Sequence, residues 1–291
     1  MLDLDIIYNE DCISGMEKIP DSSIDVILTD PPYKYLNAKF DRDFDEEAFF
    51  EQANRVLKPD GWIILFGRGT SFYRWNTRLA EMGFSFKEEI CWNKCFTNSP
   101  VSALSRIHET ISLSTKGKGK IRRVKVPYVE KRVDDLERIA GDIRRIKGVL
   151  NNPDALKRVL HYIENGEIID WDKPKKIGIT VHSPIPCPRR DVSVIQGMTE
   201  GMVESSIIKI QAKHKGYIHP TEKPVRLLER LLNLVIAENS GGIVLDPFSG
   251  SGSTAIAARN LGHNFIGFEI DKGYWENSIS RLQQMEETEI E

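Results

Sequence analysis

Two short runs in this chain hold residues that could do chemistry, and they lie far apart in sequence. The first is Asp30-Pro31-Pro32-Tyr33, directly after the apolar run Ile24–Thr29. Consecutive prolines fix φ and remove two N–H donors, so this turn is extended and offers acceptors only. An amino group on an aromatic ring needs such acceptors before it can act as a nucleophile, because its lone pair is delocalised into the ring. The Asp30 carboxylate and the Pro31 carbonyl can each take one N–H and favour a pyramidal nitrogen. Tyr33 adds a face on which a base can stack, a contact worth ~1–3 kcal/mol. Taken alone, the run is equally a structural β-turn.

The second run, Leu245-Asp246-Pro247-Phe248-Ser249-Gly250-Ser251-Gly252-Ser253-Thr254, follows an apolar strand-like stretch and opens a helical one. Glycines at 250 and 252 remove the Cβ atoms that would keep a ligand from the backbone N–H groups at a helix N-terminus. A GK[ST] ending is missing, which disfavours a nucleoside triphosphate. Glu269 stands nineteen residues beyond Gly250, at the end of the next strand-like run, where a carboxylate can accept both hydroxyls of a ribose. Turn and carboxylate together point to an adenosine-bearing cofactor; a tight structural turn is the alternative.

The elements that must position these runs follow a βαβ rhythm. Asp5–Cys12, Ile24–Thr29 and Trp62–Phe66 read as strands, with helices at Ser14–Ile19, Glu46–Leu57 and Phe72–Met82. Phe86–Trp92 and Glu109–Ser114 follow as strands close enough to pair antiparallel. Late in the chain, Pro224–Glu238 reads as a helix with Thr221 as N-cap, Gly242–Leu245 as a strand, Ser253–Leu261 as a helix, Asn264–Glu269 as a strand and Tyr274–Met285 as a closing helix. Continuous apolar strands separated by helices call for a doubly wound α/β fold, a mostly parallel sheet covered on both faces. If Ile24–Thr29 and Gly242–Leu245 flank a topological switch point, both candidate loops open into one crevice. The middle of the chain must then be an excursion.

Charge marks that excursion. Residues 116–216 hold 22 Lys+Arg against 13 Asp+Glu, about +9, while the rest hold 18 against 30, about −12, consistent with the net −3 of the chain. Such a local excess fits a surface for a polyanion or a solvated helical face. Its helices are expected at Asp134–Leu150 and Asp154–Ile163, and its second half, with the Pro-rich Ser183–Pro188, is expected to be irregular. The likeliest phosphate contacts are Lys116, Lys118, Lys120, Arg122 and Arg123 of the Gly/Lys stretch, with Arg189 and Arg190. The expected partition is 1–115, 116–216 and 217–291.

The remaining features mainly exclude. With 291 residues, 40% hydrophobic and 29% charged, the chain can bury a full core, and no apolar run approaches the roughly 18 residues of a membrane span. The first residues lack a signal-peptide pattern, so a cytoplasmic protein is expected. Cys12, Cys91, Cys95 and Cys187 show no paired spacing and read as reduced thiols; His182, His214 and His219 fit no metal site. Phe66-Gly67-Arg68-Gly69-Thr70 reads as a strand-to-helix turn, or else as a loop facing a polyanion.

The order DPPY, insertion, FxGxG resembles the β class of DNA amino-methyltransferases, and the likeness spans residues 5–115 and 217–290. The resemblance implies a seven-stranded Rossmann-like methyltransferase sheet with an antiparallel last strand and an inserted target-recognition domain. Asp30, Pro31, Pro32 and Tyr33 would form the catalytic loop. S-adenosylmethionine would be held by Asp11, Asp30, Asp246, Phe248, Gly250, Gly252 and Glu269, and by Thr221 and Lys223 of His219-Pro220-Thr221-Glu222-Lys223-Pro224, which matches the family's HPTxKP motif. Methyl transfer would be direct, without metal, to a base flipped out of DNA. The DPPY form is similar to adenine-N6 enzymes, whereas cytosine-N4 enzymes of this group more often begin with Ser; RNA adenine methylation and a non-catalytic DNA-binding subunit are the other readings. A homodimer and a restriction-enzyme counterpart are partners the resemblance admits.

Overall fold

In the computed structural model the described residues are 2–33, 43–95, 104–133, 135–167, 189–212 and 221–290. The chain begins β1 (Ile6–Tyr8), α1 (Cys12–Met16), β2 (Ile24–Thr29), α2 (Glu46–Val56), β3 (Leu57–Gly67), α3 (Gly69–Glu81), β4 (Ser85–Asn93) and β5 (His108–Thr115). It continues through β6 (Lys125–Val126), α4 (Tyr128–Lys131), α5 (Leu136–Leu150), α6 (Pro153–Asn165), α7 (Arg189–Glu200) and β7 (Met202–Val203). It closes with β8 (Ile207–Lys209), α8 (Val225–Val235), β9 (Ile243–Asp246), α9 (Ser253–Asn260), β10 (Asn264–Phe268) and α10 (Lys272–Ile290). Two compact units result, Met1–Arg123 with Ser205–Glu291, and Val124–Glu204.

The larger unit is built on one sheet in the order β1-β10-β9-β2-β3-β5-β4-β8. Strands β1, β10, β9, β2 and β3 run parallel, and β5 runs antiparallel between β3 and β4. The parallel strands are apolar along their length because helices cover both faces. Ile27, Ile63, Leu65 and Leu245 are buried against α1–α3 through Met16, Phe49, Phe50, Ala53, Trp75 and Leu79. On β2 the intervening Val26 and Leu28 are also buried, and α8 packs on that strand. The cap of α2 is Asp45, whose carboxylate accepts from the Ala48 N–H at 3.0 Å.

The sheet has eight strands rather than seven, and its antiparallel strand lies inside it. The eighth, β8, pairs parallel with β4 (Cys91 with Ile207) and so belongs to the sheet rather than to an insertion ending at 216. Only Ile208 of its three residues is buried, too little alternation to register in sequence. The helix expected at Pro224–Glu238 is shorter: Pro224, not Thr221, is the N-cap of α8, and no side chain caps it.

In the smaller unit β6 and β7 form an antiparallel ribbon, and Val149, Ala155, Val159, Tyr162 and Val192 pack together. Helix α7 stands in the half expected to be irregular. Its β-branched Val192 and Val194 have weak helix propensity, and burial overrides it. Among the described residues no helix is long and apolar enough to cross a membrane.

Candidate active site

The parallel register of β2 with β9 (Val26 with Val244, Ile27 with Leu245) ends both strands on the same edge of the sheet. The connections from β2 and β9 leave toward opposite sides, so their carboxyl ends diverge and open a crevice. Its volume is about 730 Å³, large enough for a nucleoside-sized ligand. Asp11, Asp30–Tyr33, Lys223, Asp246–Ser251 and Glu269 all line it. The two loops from distant parts of the sequence thus share one site.

On the β9–β10 side, Gly250 and Gly252 have φ of 48° and 72°, conformations that side chains disfavour. Glu269 accepts from the N–H of Gly250 at 2.9 Å and of Asp271 at 2.8 Å. The carboxylate therefore ties the glycine turn to the loop after β10, at the end of the strand where a carboxylate suits ribose hydroxyls. Asp246, 6% exposed, accepts from Thr29 Oγ1 at 2.9 Å and from the Phe248 N–H at 3.1 Å. Burial pushes its carboxyl up to about 6, against the pull of bonds from Thr254, Phe248 and Thr29. The Phe248 ring meets Phe44 edge-on at 5.0 Å. Asp11 caps α1 through the N–H groups of Ile13 and Ser14. Carboxylates for a ribose, an apolar ring for a base and open backbone at a turn are the donor set an adenosine moiety requires.

On the β2 side a chain of charges crosses the sheet edge. Asp30 takes the Tyr33 hydroxyl on one oxygen and the Lys223 ammonium on the other. Lys223 also faces Glu109 of β5 at 3.4 Å and the Phe66 ring at 5.0 Å, and Glu109 accepts from Lys94 at 2.9 Å. These side chains are largely shielded: Lys223 is 9% exposed, Asp30 18% and Glu109 21%. Burial raises the Asp30 carboxyl above its usual range, although Lys223 pulls it back. Burial also works on Glu109, but there Lys223 and Lys94 outweigh it and hold the carboxyl low. Lys223 is held protonated by Asp30 and Glu109 despite its burial. Burial and the neighbouring Asp30 push the Tyr33 hydroxyl well up, so it donates rather than ionises. The Tyr33 ring leans on Trp75 at 5.9 Å.

Sequence reasoning did not find Glu109, Lys94, Thr29 or Trp75. Lys94 follows the strand-ending Trp92 and Glu109 begins a strand, and neither position carries a local signal; only strand pairing makes them neighbours. Thr221 lines the crevice, while His219 and Pro220 lie outside the described residues. No group of three or more His, Cys, Asp or Glu able to hold a metal occurs among the described residues.

The basic stretch expected to meet phosphate lies elsewhere. Thr115, which ends β5, pairs with Trp62 at the amino end of the β3–β5 ladder, so the chain leaves β5 toward the amino edge of the sheet, opposite the crevice. The Lys116 ammonium donates to the carbonyls of Asn54 at 2.6 Å and Leu57 at 3.1 Å, at the C-terminus of α2. Arg122 donates from its guanidinium to Asn233 O at 2.8 Å and Ile236 O at 2.6 Å, at the C-terminus of α8. Both cations satisfy last-turn carbonyls of helices, a structural role that stands beside their reading as phosphate contacts. Gly117 belongs to the same packing, since a Cβ there would stand 2.4 Å from the Pro59 carbonyl. Lys118, Lys120 and Arg123 are exposed on that same edge, and Arg189 and Arg190 open α7 with side chains outside those described. The basic residues lining the crevice are Arg68, Lys94, Arg106 and Lys223. Arg68 is also the N-cap of α3, so the run Phe66–Thr70 is a strand-to-helix turn at the mouth of the site.

Fold and site together define a Rossmann-like methyltransferase. The sequence model of the DNA methylase family matches residues 24–280, and the chain belongs to that family. It is 25% identical over 305 residues to the Type II methyltransferase M2.DpnII of Streptococcus pneumoniae, covering 97% of this chain and 91% of the relative. Identity is likewise 25% over 331 residues to the Type II methyltransferase M.HindIII of Haemophilus influenzae, covering 96% and 95%. Among solved structures, the M1.HpyAVI–SAM complex superposes with a TM-score of 0.55 at 21% identity, covering 94% of this chain and 98% of that one. The cytosine-N4-specific PvuII DNA methyltransferase superposes with a TM-score of 0.57 at 15% identity, covering 94% and 85%, a likeness of fold.

Proposed function

We propose that this DNA methyltransferase acts on the N6 amino group of adenine, with S-adenosylmethionine as methyl donor, in the manner of a type II modification enzyme. The observation that carries this reading is the Asp30 carboxylate, held by Tyr33 and Lys223 at the carboxyl end of β2, in the same crevice as the Gly250–Glu269 clamp.

Glu269 would hold the ribose hydroxyls, Phe248 the adenine ring and Gly250 the open backbone beside them, while Gly252, whose Cβ position faces Ile7 and Ser278, would shape the turn from behind, with Asp11 and Asp246 also lining the pocket. Thr221 and Lys223 would flank the amino-acid end. When bound, S-adenosylmethionine supplies an electrophilic sulfonium methyl. Asp30 accepts one N–H of the target amine and the Pro31 carbonyl the other, turning the nitrogen lone pair out of the ring plane. Pro32 keeps the loop extended, and Tyr33 stacks on the flipped base while its hydroxyl steadies Asp30. The nitrogen gains one carbon and gives up one proton, which the Asp30 carboxylate is placed to receive because its basicity is raised by burial. No covalent enzyme intermediate forms. Arg68 and Arg106 would meet phosphate at the crevice, and Arg189 and Arg190 are further candidate phosphate contacts; a restriction-enzyme counterpart fits the type II relatives.

Incubating genomic DNA free of amino-methylation with the protein and labelled S-adenosylmethionine, then separating nucleosides by mass spectrometry, tests the reading. N6-methyladenine is expected, and N4-methylcytosine would overturn it. In the same assay Asp30→Ala is expected to lose transfer by ~100-fold or more while keeping the cofactor. Near-normal turnover would remove Asp30 from its role.

A further inference from the structure

The proposed reaction uses Asp30 directly, yet the carboxylate is one of two that share a single shielded ammonium. Lys223 reaches Asp30 on one side and Glu109 on the other, and Glu109 is in turn held by Lys94 at 2.9 Å. Four charged side chains therefore alternate in sign and sum to zero. They come from four separate places in the fold: the loop after β2, the segment before α8, strand β5 and the end of β4. Among the described residues the buried Oε2 of Glu109 makes no hydrogen bond of good geometry, and Lys223 stands 3.4 Å from it. A buried carboxylate oxygen left without such a bond is costly, and its place in a site is expected to have a use.

We propose that Glu109, held by Lys94, is a positioning residue for amino methylation: by drawing on the same Lys223 ammonium that Asp30 holds, it weakens that cation's pull on Asp30, so that the Asp30 carboxylate remains a strong acceptor for the target amine. The inference rests on the adenine-methylation reading above. An ammonium bound to one carboxylate alone lowers that carboxylate's strength as an acceptor, and a pocket with surplus positive charge opposes the positive charge that grows on the attacking nitrogen. Glu109 offsets both penalties through Lys223. The groups facing Asp30 are Tyr33 from its own loop, Lys223, Glu109 and Asp246, with Arg106 acting on Tyr33. Of these, Glu109 and Lys223 are the two whose charges compete across the carboxylate.

The test is single-turnover methylation of DNA free of amino-methylation, at saturating labelled S-adenosylmethionine, from pH about 5 to about 8, where the acid limb reports groups in the ternary complex. In Glu109→Gln the rate is expected to fall about tenfold, and the acid limb to move down by roughly one unit because Asp30 loses its negative neighbour. Lys94→Met removes a positive charge from the same chain, so the limb is expected to move up. Glu109→Asp keeps the charge and is expected to restore the wild-type limb. Cofactor affinity, measured by calorimetry, is expected to be unchanged in all three. A purely structural role for Glu109 would lower the rate without moving the limb, and that result overturns the proposal, as does a shift of the same sign in Glu109→Gln and Lys94→Met. Should Glu109→Gln fail to fold, an unmoved limb in Lys94→Met is sufficient to overturn it. A wild-type protein that methylates no adenine defeats the functional reading and this inference with it, whereas wild-type transfer with unmoved limbs defeats the inference alone.

Discussion

Replacing Asp246 by Asn should make the protein more stable at neutral pH and less able to bind its cofactor. Asp246 is 6% exposed, and its carboxyl is pushed up to about 6, while in the unfolded chain it titrates near 3.8. Below the lower value both states hold the proton, and the position costs nothing relative to an ordinary carboxyl. As pH rises from 3.8 through 6 the unfolded chain ionises first, so stability is progressively lost, and above 6 the loss is complete. A gap of about two units at 1.36 kcal/mol each is roughly 3 kcal/mol. An amide is close to isosteric, and its Oδ1 can still accept from Thr29 Oγ1 and the Phe248 N–H. Asp246→Asn should therefore gain up to about 3 kcal/mol over wild type at pH about 8, a rise in melting temperature of about 6 °C, and close to nothing at pH about 4. Urea unfolding of both proteins across this range measures the difference directly. A gain that does not vary with pH, or a loss at pH about 8, would refute the reasoning. The accompanying loss of cofactor affinity would show the site trading stability for binding.

Two further outcomes follow from the same geometry. Glu269→Ala should weaken S-adenosylmethionine binding by at least ~100-fold in calorimetry, since two charge-assisted hydrogen bonds of ~1.5 kcal/mol or more each are lost; unchanged affinity would take Glu269 out of the pocket. Arg122→Ala should cost about 1 kcal/mol of stability through the uncapped end of α8, and should leave the slope of log K against log salt for DNA binding as in wild type. A slope shallower by close to one would return Arg122 to the DNA interface.

The two candidate loops were legible in the sequence because each is a local device. A double proline after a buried strand, or a glycine turn between a strand and a helix, states its backbone geometry in a few adjacent residues. That the two face one crevice also followed from the sequence, since strands of a doubly wound sheet leave little choice of where ligands bind. The charges between them were not legible. Lys223 and Asp30 are 193 residues apart, and Glu109 meets Lys94 only because β4 and β5 pair in one register out of several the alternation permits.

The basic stretch after β5 shows the same division. Its composition was plain, and its use was not. Lys116 caps a helix that ends about 60 residues earlier, and Arg122 one whose Asn233 carbonyl lies 111 residues later. A lysine or arginine side chain carries the same charge whether it meets a phosphate or a helix's last carbonyls, so only the direction in which β5 leaves the sheet decides between them. By itself, the sequence determined the backbone form of the two candidate loops, because that form is written in residue types and short spacings. The tertiary structure alone decided which charges stand beside Asp30 and which edge of the sheet the basic stretch occupies, because both depend on strand order and direction across the whole sheet.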